Sequence, residues 1–110
     1  MPEPVRTAVL DRVRRTGAQT ERLLRAASAL GSVFNPATLA PMLGLSPQDV
    51  AYHCERGLDA RLLVPADAEY RFANALIRDV LYMTTPAPTR DVYHRHAAEL
   101  RGRRTVATSG

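Results

Sequence analysis

The sequence contains no lysine and no tryptophan, a single cysteine and few aromatic residues. Each absence removes a class of function. Without lysine there is no G-x-x-x-x-G-K-[ST] phosphate loop, no Schiff-base chemistry and no Ser/Lys hydrolase, so this chain alone does not make an NTPase. One cysteine permits neither an internal disulfide nor a Cys-rich zinc site. Cys54 stands between His53 and Glu55, four residues after Val50 and four before Leu58. That pattern predicts a buried structural thiol on a helix, not a nucleophile. No apolar run is long enough to span a bilayer. The opening MPEPVRTAVLDRV lacks the apolar core of a signal peptide. A cytoplasmic protein without a membrane partner is the expectation.

What is present suits one small domain with one core: 110 residues, 45% of them hydrophobic and drawn mainly from Leu, Val and Ala. All fifteen basic residues are arginine, against eleven acids, for a net charge of +4. The charge is uneven. Residues 1–31 carry +3, residues 32–86 carry −2, and residues 87–110 carry +3. The middle of the chain, where the motifs lie, is its acidic part.

Val5, Val9 and Val13 recur every four residues, predicting a helix from Pro4 to near Gly17. Thr16 and Gln19 fit a T-x-x-Q capping box ahead of ERLLRAASAL, a second helix that stops at Gly31. A third helix is expected from Pro36, capped by Asn35, to Gly44, and a fourth from Ser46-Pro47-Gln48-Asp49. Gly44-Leu45-Ser46 between them gives helix-turn-helix spacing. Ala40 supplies the small residue, Gly44 the positive-φ turn and Val50 the core position of such a motif.

ARLLV and EYRF then read as two short strands joined by Pro65-Ala66-Asp67-Ala68. At Asn74 the period changes from strand to helix, and Asn is a strong N-cap. Leu76, Ile77, Val80 and Leu81 form the apolar set of the next helix. Pro86 and Pro88 precede a last helix, TRDVYHRHAAEL, with Val92, Tyr93, Ala97 and Leu100 available for packing. The expected fold is mainly α: a winged helix-turn-helix with a short β-hairpin wing and flanking helices over residues 1–101. A disordered basic tail is expected over 102–110.

In order, PVRTAVLDRV, RLLRAASALGSVFNPATLAPMLGLS, LDARLLV, YRFANALIRDVLY and TRDVYHRHAAEL resemble the winged-helix segment of bacterial signal-transduction ATPases with numerous domains. The likeness is strongest to the large LuxR-type regulators and covers roughly Pro4 to Arg101. It implies a module lying between an ATPase core and a helical-repeat sensor array, closed on the core at rest and moved by nucleotide and inducer. ATP or ADP would then be held through the core, with no cofactor bound by this chain alone. In the family the segment matching Phe72–Arg78 reads Phe-x-His-x-Leu-Ile/Val-Arg, and its His approaches the nucleotide phosphates. Here Asn74 occupies that place. The resemblance implies Asn74 and Arg78 as nucleotide-phosphate contacts, with weakened sensing because Asn cannot become cationic near neutral pH. An acid of the ATPase core is an alternative partner for Arg78, as are Asp67, Glu69 and solvent. His94 matches a family His at the start of the repeat array, with a packing role against Tyr82 or Tyr93.

The second reading is a free-standing DNA-binding regulator in which Gln48, Tyr52 and Arg56 face DNA. Asp49, Glu55 and Asp59 on the same helix oppose it, because they would repel phosphates. His94 and His96 are two apart and do not make a helical metal pair, so no metal site is expected. No nucleophile–base pair or other catalytic constellation appears, and no enzyme is expected.

Overall fold

The computed structural model describes residues 2–109, with side-chain surroundings through Gly102. Six helices and a small three-stranded antiparallel sheet make a mainly helical fold. The first helix, α1 (Glu3–Arg15), begins with prolines at its entry and Glu3 in its first turn. It ends on Arg12, Arg14 and Arg15, so its charges oppose the helix dipole at both ends. Val9, Leu10 and Val13 are buried, whereas Val5 is exposed.

The capping box expected from Thr16 and Gln19 does not form. Thr16 is still helical, at φ −75° and ψ −14°, and its hydroxyl donates back to the Val13 carbonyl, closing α1. The N-cap position falls to Gly17, whose positive φ of 100° glycine tolerates, and it opens α2 (Ala18–Leu30) without a side-chain cap. This helix is the hub of the fold: Leu23, Leu24, Ala26 and Ala27 are fully buried, and α2 packs against the other five helices.

β1 (Val33–Phe34) follows, and sequence pattern does not predict it, because two residues carry no period. α3 (Pro36–Leu43) is capped by Asn35, whose side chain accepts from the Ala37 N–H at 2.9 Å. α4 (Pro47–Asp59) is capped by Ser46, whose hydroxyl accepts from the Asp49 N–H at 3.1 Å. Between them Gly44 takes φ 66°, and the N–H groups of Gly44 and Leu45 both donate to Ala40.

β2 (Leu63–Ala66) and β3 (Glu69–Phe72) form a hairpin across Asp67-Ala68. Asp67 supplies the left-handed residue at φ 56°, a conformation its short polar side chain tolerates. The turn is tighter than sequence suggests, because Pro65 and Ala66 belong to the strand. Pro65 is accommodated because the strand order β1-β3-β2 leaves β2 at an edge. Phe34 faces Tyr70 in register and packs 5.6 Å from the Phe72 ring, sealing the sheet onto the helices.

α5 (Ala75–Thr84) buries Ile77, Val80 and Leu81, while Leu76 stays on its exposed side. α6 (Ala87–Ser109) starts two residues earlier than TRDV implies, with Pro88 tolerated in its first turn. Ala97 is buried and Tyr93 and Leu100 pack against the core, but Val92 is 56% exposed and does not join them. The helix continues to Ser109, where a disordered tail over 102–110 was the expectation; Gly110 and the side chains beyond Gly102 lie outside the described residues.

Candidate functional site

Asn74 has extended backbone, and its Oδ1 accepts from the Ile77 N–H at 2.9 Å, capping α5. The side-chain oxygen is thereby committed, and only the amide NH2 of this exposed residue remains to donate outward. Arg78, one turn on, is turned towards α2. Its Nε donates to the Ser28 carbonyl at 2.9 Å, its guanidinium lies 4.6 Å from the Tyr82 ring centroid, and an Nη is 3.8 Å from Asp79. Neither Asp67 nor Glu69 is its partner. The two residues thus share a helix but do not converge on a common point.

Tyr82 gathers more charge around itself. Arg90 of α6 also lies over its ring, at 4.8 Å, and its hydroxyl is 3.0 Å from Nε2 of His94. His94 therefore ties α6 to α5 through Tyr82, not Tyr93.

On α4, Gln48 is exposed and Tyr52 is 55% exposed, one turn apart. Arg56, the third candidate of that stripe, is half-buried and donates through Nε to the Thr16 carbonyl at 3.0 Å. The only basic residue of the helix is therefore drawn to α1, while Asp49, Glu55 and Asp59 are all exposed. Ala40 is half-buried where α3 meets the turn, and Val50 is buried in the core. His53, behind Tyr52, shares a 2.7 Å hydrogen bond with the buried Thr20 hydroxyl. Cys54 is fully buried, and its thiol pKa is pushed up to about 11, by burial first and the Glu55 carboxylate second. Such a thiol is inert.

One pattern unites the arginines and escapes sequence reading. Helix C-termini leave carbonyls unpaired. Here four helices have such a carbonyl, or the one just after the helix, met by an arginine from another element. Arg56 serves α1, Arg78 serves α2, Arg12 serves α4 through Ala60 and Arg61, and Arg25 serves α5 through Leu81. Arg25 also holds Glu21, Thr84 and Thr85. The forked guanidinium suits this work because it reaches several acceptors at once.

Where α1 and α4 end together, a groove of about 390 Å³ opens, lined by Arg12, Arg15, Thr16, Arg56, Asp59 and Ala60. Among the described residues no group of three or more His, Cys, Asp or Glu side chains is placed to hold a metal ion, and no helix is long and apolar enough to cross a membrane. Comparison with known proteins finds no matching family model, curated protein or solved structure. The arrangement itself offers exposed polar and basic surfaces.

Proposed function

We propose that this chain is a winged-helix interaction module of an ATPase-type transcriptional regulator, relaying nucleotide state between an ATPase core and a helical-repeat sensor. The winged-helix reading is supported by the element order. Two helices closely joined at Gly44-Leu45-Ser46 are followed at once by a hairpin, and a third strand from before α3 pairs with the hairpin's second strand. The cytoplasm is the compartment this reading requires.

The observation that carries an interaction role over DNA reading is the surface of α4. A helix that enters the major groove needs cations beside the phosphates. This one exposes three acids, and its one arginine is held by the Thr16 carbonyl. Within the relay, Asn74 brings the N-terminus of α5, with its partial positive charge, and an amide donor to the nucleotide side. Its oxygen is occupied by the cap, so the contact is weaker than a cationic side chain would give. Arg78 contributes by fixing α5 to α2.

Free-standing DNA binding through Gln48 and Tyr52 is the competing reading, and their exposure on one face of α4 favours it. An immunoblot of the native gene product in its own cells separates the two. A band far above 12.1 kDa is expected; a band at 12.1 kDa removes the ATPase relay and leaves a small DNA-binding or partner-binding protein.

A further inference from the structure

The groove between α1 and α4 brings together arginines from distant parts of the sequence. Three of its lining side chains are arginines and one is an acid. Arg12 and Arg56 each use part of a five-donor guanidinium on backbone carbonyls, which fixes both in place and leaves N–H groups over. Arg15 is different. It is exposed and has no hydrogen-bond or ion-pair partner among the described residues, although Asp59 lines the same groove. An unpartnered guanidinium that lines the same groove as two immobilised ones is free to fork onto a carboxylate or phosphate oxygen pair.

The surroundings disfavour a nucleic-acid duplex. Asp59 stands in the groove, Glu55 is exposed on the same helix, and both α1 and α4 direct their negative dipole ends here. A duplex, with phosphates along its whole length, meets that negative rim at every step. A flexible chain can set one or two carboxylates against the three arginines and keep its other residues clear of Asp59 and Glu55. The volume is also at the small end of ligand sites and takes a side chain or two, not a helix.

We propose that this groove docks an acidic segment of a partner protein, whose Asp or Glu carboxylates are gripped by Arg15 together with the remaining donors of Arg12 and Arg56. This rests on the interaction-module reading and names the chemistry of one of its partners. Because the contact is largely electrostatic and exposed, salt weakens it steeply.

The test is fluorescence anisotropy of a labelled hexaglutamate peptide titrated with the 110-residue chain at low ionic strength. Saturable binding is expected, weakened about tenfold by Arg15→Gln, a change that leaves the Arg12 and Arg56 bonds intact. Arg6→Gln removes the same charge from an exposed position about 13 Å away along α1 and is expected to weaken binding less than twofold. Equal loss in both variants, or no saturable binding, overturns the groove and leaves the module reading standing. Inorganic phosphate that displaces the peptide at lower concentration than free hexaglutamate does would make this a phosphate site and overturn the acidic-segment assignment. A random-sequence duplex that binds more tightly than the peptide, with the same dependence on Arg15, would overturn this proposal and the interaction reading together.

Discussion

Arg12 and Arg56 close the ends of each other's helices. From α1, Arg12 donates through one Nη to the carbonyls of Ala60 and Arg61, at 3.0 and 3.2 Å, where α4 ends. From α4, Arg56 donates through Nε to Thr16, the C-cap residue of α1, at 3.0 Å. Charge-assisted bonds to orphan carbonyls of this kind contribute roughly 1–2 kcal/mol each when partly exposed to water.

Arg12→Ala and Arg56→Ala are each expected to lower unfolding free energy by about 1 kcal/mol or somewhat more in urea titrations. Lysine at either position recovers less than half of the loss, since a single ammonium does not reproduce the fork. Full recovery by lysine would mean that charge near the helix dipole, not the directed bond, supplies the effect.

Asn74 makes a separable prediction. Its oxygen caps α5, so Asn74→Ala costs about 1 kcal/mol of stability, whereas Asn74→Asp, which keeps the acceptor, costs little. In the native gene product, Asn74→His is expected to strengthen ADP or ATP retention, measured on the purified protein after gel filtration. No gain would remove the phosphate contact and leave the cap as the residue's whole role.

Gly57 lies within α4 where β2 crosses it. A Cβ added there would come 2.8 Å from Cδ1 and 3.1 Å from Cγ of Leu63, a side chain that is itself buried. Overpacking costs roughly 1–3 kcal/mol, and alanine returns nearly 1 kcal/mol of helix propensity. Gly57→Ala is therefore expected to destabilise by about 1 kcal/mol net, read as a lowered Tm. An unchanged or raised Tm would mean that Leu63 relaxes freely.

Cys54 predicts an alkaline limit to stability. Its thiol titrates near 9 when unfolded and at about 11 when folded. Between those values the unfolded chain binds fewer protons than the native one, so stability falls as pH rises. The contribution is complete below pH 9 and gone above pH 11, on the order of 3 kcal/mol in all. Cys54→Ala should flatten that part of the stability profile. In the native protein at neutral pH, Cys54 should react with a thiol reagent only as fast as the chain opens.

Local chemistry was legible in the sequence to a useful depth. Asn35, Ser46 and Asn74 cap the helices they precede, because a cap is a bond across two or three residues and needs no distant partner. The hairpin was readable for the same reason, from alternation and a turn. Thr16 misled, because its hydroxyl serves equally well as a helix-ending donor, and only the path of the chain through Gly17 decides.

Tertiary structure alone decided the rest. β1 exists because β3, nearly forty residues later, offers it an edge. The arginine clamps join residues 40 to 56 positions apart, and the groove is made where two of them meet. An arginine that holds a carbonyl and one that stands exposed in a groove are identical letters in a sequence. What separates Arg56 from Arg15 is whether folding brings an orphan carbonyl within about 3 Å of the guanidinium, and that distance depends on every packed contact between the two helices.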